Sequence, residues 1–396
     1  MRPLMAGLAG SKIREVANAG LGRPDVLAFW FGESDQVTGE ALRQAAAESL
    51  MRGETFYSHN LGLPELREAL RRYTAALHGD PGEGRIAVTS AGVSGLMLAS
   101  QMLLDAGDEV VVVTPVWPNL PAQPAIMGAR VRRVPLAPDV HGAWRLDLGQ
   151  LLAAITPDTR MLLVNSPNNP SGWTLGRGEQ QAILDHCRRT GTWIVADEVY
   201  ERLWFADPAT EGATPLTARS APSFLDIAGP DDRLVVVHSF SKSFLMTGWR
   251  LGWMVLPRGH LDAMGTLIEY NTSCAPVFVQ RGAIEALAQA EVTVPRLVDH
   301  LRRCRDTLCG ALAGLPGVRL ATPAGGMYAF LALEGASDSL ALAKRLVTDH
   351  GLGLAPGVAF GHEAEGWLRW CFASQDPDRL LKGVERGFVF YTNYES

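Results

Sequence analysis

Between residues 85 and 257 the chain alternates short apolar, β-branched runs with longer stretches of helical periodicity, and few folds accept that pattern. The runs are RIAVTS (85–90), DEVVVVTP (108–115), TRMLLVNSP (159–167), GTWIVADE (191–198), DRLVVVHS (232–239) and RLGWMVLP (250–257). None alternates apolar with polar residues, so both faces of each strand must be buried. Strands of that kind need a mostly parallel sheet covered by helices, and stretches such as Gly95 to Leu104 and Gly178 to Arg189 have the period to supply them. The pattern predicts an α/β fold.

The ends of the chain have a different texture. An N-terminal arm leads to a helix near Glu40 to Arg52 and to a second helix begun by GLPELREALRRY (62–73), where Pro64 suits a first turn. After about residue 285 come a long amphipathic stretch (Val292 to Leu312), the short runs GVRLATP, GGMYAFLAL and GWLRWCFAS, and a helix from Ser339 to Asp349. This predicts a large domain over residues 46–284, built on the mostly parallel sheet with flanking helices. A smaller α+β domain would combine the arm (1–45) with the C-terminal part (285–396).

Every apolar run of the large domain ends in turn-forming or reactive residues. EVVVVTP runs into Val116-Trp117-Pro118, MLLVNSP into Asn168-Asn169-Pro170, TWIVADE into Asp197 with Tyr200 three positions on, and LVVVH into Ser239-Phe240-Ser241-Lys242. In open parallel sheets ligands bind outside the carboxyl ends of the strands. A lysine at such an end can be desolvated, which lowers its pKa and makes it a nucleophile toward carbonyls. Singly, Asp197 could cap a helix, Trp117 could be core and Asn169-Pro170 a plain turn; together they fit a pyridine aldehyde cofactor. Lys242 would form an imine with the aldehyde, Asp197 would pair with the pyridinium nitrogen, Tyr200 and Asn169 would donate to the ring oxygen, and Trp117 would stack on the ring. Arg250, Ser239 and the amides of a turn at residues 91–94 would hold a phosphate.

These residues carry a family resemblance. NNPSG (168–172), ADEVY (196–200) and SFSKSFLMTGWRLG (239–252), in this order, resemble the fold-type I pyridoxal-phosphate aminotransferases of class I/II, the aspartate aminotransferase-like group; FGESD (31–35), APGVAFG (355–361) and WLRWCFA (367–373) support it over nearly the whole chain. The resemblance implies an enzyme that moves an amino group between an L-amino acid and a 2-oxo acid, with pyridoxal 5'-phosphate as cofactor and no metal. It makes Lys242 the Schiff-base lysine and proton shuttle, and Asp197 and Tyr200 its catalytic companions. Gly92, Val93, Trp117, Asn169, Ser239 and Arg250 would bind the cofactor. Gly32, Asn169 and Arg369 would bind the substrate, with Arg369 clamping the α-carboxylate. Tyr57 would reach the phosphate of a neighbouring subunit, implying a homodimer with shared active sites. Val93 departs from the pattern, which commonly has Ser or Thr there; Ser94 and Ser241 are the two candidates to replace the missing hydroxyl.

The same scaffold also serves C–S lyases and ring-closing synthases, and related folds occur in transcriptional regulators that carry an N-terminal winged helix. The aminotransferase pattern begins here within the first thirty residues, and the net charge of -6 (36 basic, 42 acidic) lacks long runs of either sign, which argues against nucleic acid or a membrane surface as partner. No apolar run approaches a membrane span. The five scattered cysteines fit reduced thiols and a cytoplasmic location. Trp30, Phe31 and Trp117 suggest a partly aromatic entrance to the site and lean toward neutral, aromatic or large substrates; no second cationic group for an acidic side chain is evident.

Overall fold

The computed structural model describes residue 1, residues 3–205 and residues 219–394. All six predicted runs are strands: β1 (Ile86–Thr89), β2 (Glu109–Thr114), β4 (Thr159–Asn165), β5 (Trp193–Asp197), β6 (Leu234–Ser239) and β7 (Gly252–Val255). A seventh, β3 (Arg130–Pro135), completes the sheet in the order β1-β7-β6-β5-β4-β2-β3. Its sequence, RVRRVP, does not announce a strand, because it lies at the sheet edge where most of its residues face solvent. Only β7 runs against its neighbours; β6, β5, β4, β2 and β3 pair in parallel.

The period of two explains the unbroken apolar runs. Along β2, Val111 and Val113 join one buried cluster while Val110 and Val112 join another, so each strand feeds a core on both sides of the sheet. One core packs against the helix Pro64–His78, which has Pro64 in its first turn as expected. The other packs against the helix Gly92–Leu103. Register then sets the site: Asn165 lies level with Asp197, and Ser239 with Gly252, which in turn faces Thr89. Polar strand ends therefore collect along one rim.

A second, four-stranded antiparallel sheet joins Val318–Leu320, Tyr328–Leu333, Trp367–Cys371 and Ala355–Pro356. Its register sets Arg369 opposite both Phe330 and Ala355. The N-terminal segment returns to this part of the molecule: Leu27–Ala28 pairs with Leu352–Gly353, and the Cys371 amide donates to the Phe29 carbonyl at 3.1 Å. Two long helices, Ala290–Ala313 and Pro377–Tyr394, lie beside it; the first extends the predicted amphipathic stretch at both ends. Among the described residues no helix is long and apolar enough to cross a membrane.

One contact joins the sheet to the helix that opens over the rim. A Cβ on Gly252 would stand 2.6 Å from the Gly92 nitrogen and 2.7 Å from the His238 carbonyl oxygen, so only glycine lets β7 lie this close. Gly252→Ala is expected to cost roughly 1–3 kcal/mol by overpacking, read as a lowered midpoint in thermal unfolding; an unchanged midpoint would contradict the contact.

Candidate active site

The rim encloses a cavity of about 640 Å³, and its wall contains Lys242, Asp197, Tyr200, Gly92, Val93, Trp117, Asn169, Ser239, Arg250, Gly32 and Arg369. Eleven of the twelve residues singled out from sequence thus meet in one place. Tyr57 is the exception: it is 88% exposed and does not line the cavity of its own chain.

Lys242 follows β6 on a tight turn and donates to the Gly32 carbonyl at 2.5 Å, with its amine 5.6 Å from the centre of the Tyr200 ring. Burial, reinforced by the Arg369 charge, pulls its pKa down to about 8. Asp197 ends β5, and its carboxylate has one weak bond, from the Val199 amide at 3.4 Å. Burial pushes its pKa up to about 7, against the opposing pull of that amide and of Lys242. A carboxylate held in this way is short of a cationic partner.

Arg369 is more starkly short of an anionic partner. It is 2% exposed, its guanidinium sits 4.4 Å from the Tyr328 ring centre and 4.9 Å from that of Phe360, and its Nε has no hydrogen-bond partner. Asn169 Oδ1 accepts from Nη1 at 2.9 Å and the Trp30 carbonyl accepts from Nη2, but among the described residues no carboxylate pairs with it. A buried guanidinium without an anion is costly unless one arrives.

Opposite, the helix Gly92–Leu103 begins without a side-chain cap, its cap residue Ala91 strained at a φ of 101°. First-turn amides are unsatisfied within a helix and attract anions. Ser239, Ser241 and Arg250 stand on the same cavity wall. Of the two candidates to replace the hydroxyl missing at Val93, Ser241 lines the cavity and Ser94 does not. An anion-ready helix start, a buried carboxylate, a desolvated amine and a flat Trp117 face together fit a phosphorylated pyridine aldehyde.

Several lining residues escaped the sequence. Asn165 orients its neighbours: its Oδ1 accepts from the Asn169 amide at 2.7 Å and its Nδ2 donates to the Asp197 carbonyl at 3.0 Å. Tyr328 shares a 2.7 Å hydroxyl contact with Tyr200 and sits so near Gly32 that a Cβ there would stand 2.0 Å from its oxygen. Burial raises both phenols above their ordinary range. Arg14, Ile13 and Glu33 also line the cavity. Ser11 caps the helix Lys12–Ala19 by accepting from the Arg14 amide at 3.3 Å, which fixes the turn carrying that cation. The aromatic entrance needs correcting: Phe31 and Trp117 line the cavity, but the Trp30 indole packs on Gly20 and Gly353 instead.

Residues 25–386 match the family model described as aminotransferase class I and II. The chain belongs to the class I and II aminotransferases. It is 30% identical to an aspartate aminotransferase of Pyrococcus horikoshii over 95% of this chain and 93% of that one. It is 33% identical to the arginine–pyruvate transaminase of Pseudomonas aeruginosa over 87% and 85%. A solved single mutant of the Thermus thermophilus aspartate aminotransferase superposes with a TM-score of 0.88 at 29% identity, covering 98% and 99% of the two chains. This chain is accordingly a transaminase; elimination, ring closure and DNA binding are not favoured.

The Asp197 carboxyl yields a stability prediction for the protein freed of small molecules. Its folded pKa of about 7 exceeds its ordinary 3.8, so the folded state holds a proton that the unfolded state lacks between those values. Its contribution is present below about pH 4 and is lost as pH rises through about 7. Asp197→Asn should therefore be the more stable at pH 8, by on the order of a few kcal/mol, with the gain vanishing near pH 4. Urea melts at the two pH values test this, and a pH-independent difference would refute it.

Proposed function

We propose that the cavity holds pyridoxal 5'-phosphate and exchanges amino groups between an L-amino acid and a 2-oxo acid, with Lys242, Asp197 and Arg369 as its central residues. The observation that carries this reading is the meeting of a desolvated amine, a buried carboxylate and a buried guanidinium without an anion in one cavity. When bound, the cofactor supplies an aldehyde that takes the amino group and a pyridinium ring that accepts electron density from the α-carbon.

The chain's own residues do the rest. Asp197 would pair with the protonated pyridinium nitrogen, whose positive charge would offset the burial that raises the Asp197 pKa when alone. Asn169 and Tyr200 would donate to the ring oxygen, Trp117 would stack on the ring, and Gly92, Val93, Ser239, Ser241 and Arg250, which all line the cavity, would hold the phosphate. Arg369 grips the substrate α-carboxylate in a bidentate pair, with Asn169 and Gly32 beside it. That would bring the α-carbon hydrogen within reach of Lys242 Nζ, whose lowered pKa of about 8 leaves a neutral fraction that can accept a proton and return it. The substrate side chain then meets Ile13, Arg14, Phe31 and Glu33. Arg14 is a cation suited to an acidic substrate, which the sequence alone did not reveal.

We read the functional unit as a homodimer in the cytoplasm, with the exposed Tyr57 reaching the phosphate of the partner's cavity. Each chain would comprise a large domain over 46–284 and a small one over 1–45 and 285–396.

Lys242→Ala is expected to abolish transamination, and wild-type-like turnover would sink the mechanism. Arg369→Ala should raise KM for the amino donor by on the order of a hundredfold, since the substrate carboxylate is then buried without its charged partner. Arg14→Ala should weaken dicarboxylic donors selectively, measured as kcat/KM across a panel of amino acids; equal loss for alanine and aspartate would remove Arg14 from substrate recognition.

A further inference from the structure

The segment from Asp197 to Glu201 has two sides. Asp197 and Tyr200 line the cavity; Glu198 and Glu201, 2% and 5% exposed, do not. They enter a separate buried cluster with His78, Ser223, Asp226 and His238. Glu198 accepts from the Ser223 hydroxyl at 2.5 Å and from the Phe224 amide at 3.0 Å. His78, the last residue of the helix Pro64–His78, donates through Nε2 to Glu201 Oε2 at 3.0 Å and through Nδ1 to Asp226 Oδ1 at 2.8 Å. Arg177 closes the chain on Asp226 Oδ2 at 2.9 Å.

A histidine whose two nitrogens both face carboxylates must carry a proton on each. Burial opposes that charge, but the two carboxylate bonds outweigh it and lift the pKa to about 10. Glu198, Glu201 and His238 place donor atoms within 4.8 Å of one another, as a metal site would. Yet Glu201 already has its cation in His78, and His238 is stacked on Trp253 with ring centres 4.9 Å apart. His78 thus serves as the ionic bridge of the cluster, while both His238 ring nitrogens lack a hydrogen-bond partner among the described residues.

Its position gives the bridge a task. Among the described residues the Asp197 carboxylate has only the long Val199 contact to orient it, so its place depends on the backbone that carries it. That backbone is tied at one end by Asn165 and Ser166, which donate to the Asp197 carbonyl at 3.0 and 3.1 Å. At the other end the Glu201 amide donates to the Glu198 carbonyl at 2.9 Å, and the Glu201 side chain is held by His78. We propose that His78 is a positioning residue for the cavity: by bridging Glu201 and Asp226 it holds the Asp197–Glu201 segment from behind and sets where the Asp197 carboxylate and Tyr200 hydroxyl stand relative to Lys242. Without it, two buried carboxylates lose their shared cation and push the segment out of place. The inference rests on the reading of the cavity as a pyridoxal-phosphate site.

The test uses the full chain with His78→Gln, which keeps a hydrogen-bonding side chain but not the doubly donating cation. Three quantities are measured: the dissociation constant for pyridoxal phosphate added to the apoprotein, kcat and KM for one amino donor, and the thermal midpoint of the apoprotein. Expected are cofactor binding weaker by about tenfold or more and kcat lower by a similar factor. KM for the donor should stay within about threefold, because Arg369 lies on other strands. A lowered midpoint alone, with affinity and kcat as in the wild type, overturns the proposal by making His78 merely structural. If His78→Gln does not fold, Glu201→Gln replaces it, removing the charge His78 pairs with while keeping an acceptor; loss of cofactor affinity is expected, and unchanged affinity overturns the proposal. Lys242→Ala is the control for the underlying reading. If it still turns over, the cavity assignment fails; if it is inactive while the cluster variants bind cofactor normally, only the role of His78 fails.

Discussion

Charges kept out of water without matched partners govern this molecule. Arg369 lies between Tyr328 and Phe360 with a free Nε, and Asp197 and Lys242 are each pushed by burial toward their neutral forms. A chain that folded only for stability would replace such groups with apolar residues or give them counterions. Here the surrounding packing holds the arrangement open: a parallel sheet buried on both faces fixes Asp197 and Lys242, and a second sheet fixes Arg369. The energy stored in unmatched desolvation is released when a ligand supplies the missing charges.

The close approach of Gly252 to Gly92 serves the same end. It brings an uncapped helix start over the ends of the strands, so unsatisfied amides face the cavity rather than bulk solvent. The strained φ of Ala91 accompanies that geometry. Strain, vacant amides and uncompensated charge all collect on one rim, while on the opposite side of the Asp197–Glu201 segment the carboxylates are paired in a chain from Ser223 to Arg177. One strand end thus faces carboxylate and guanidinium groups without counterions on one side and ion-paired carboxylates on the other.

What the sequence disclosed was whatever is written locally. Apolar runs without alternation specified the sheet, and each run carried its reactive residue at its own end, so Asp197, Asn169, Ser239 and Lys242 were readable from neighbours in the chain. Residues whose role comes from distant contacts were not. Tyr328 reads as an ordinary strand residue until Tyr200, 128 positions away, meets its hydroxyl. Arg14 belongs to an amphipathic helix whose direction only the tertiary fold determines. Trp30 and Phe31 are adjacent and chemically alike and their rings meet edge to face, yet only Phe31 lines the cavity while Trp30 packs on Gly20 and Gly353, and sequence alone could not say which one faced inward. The edge strand Arg130–Pro135 was hidden because its arginines are solvated, removing the apolar signal that marked the others.

The side-chain end of the cavity has a different ancestry within the chain from its reactive end. Ile13 and Arg14 belong to a helix that packs on Ser339–His350 and is tied there by a Lys344–Glu15 contact of 2.5 Å, whereas the reactive groups stand on the strands of the large sheet and the turns that follow them. On the proposed reading, changes at Ile13 and Arg14 would retune which amino acids are accepted without touching the reactive groups. Selectivity and chemistry would then be carried on separable pieces of polypeptide, so that one could change while the other is kept.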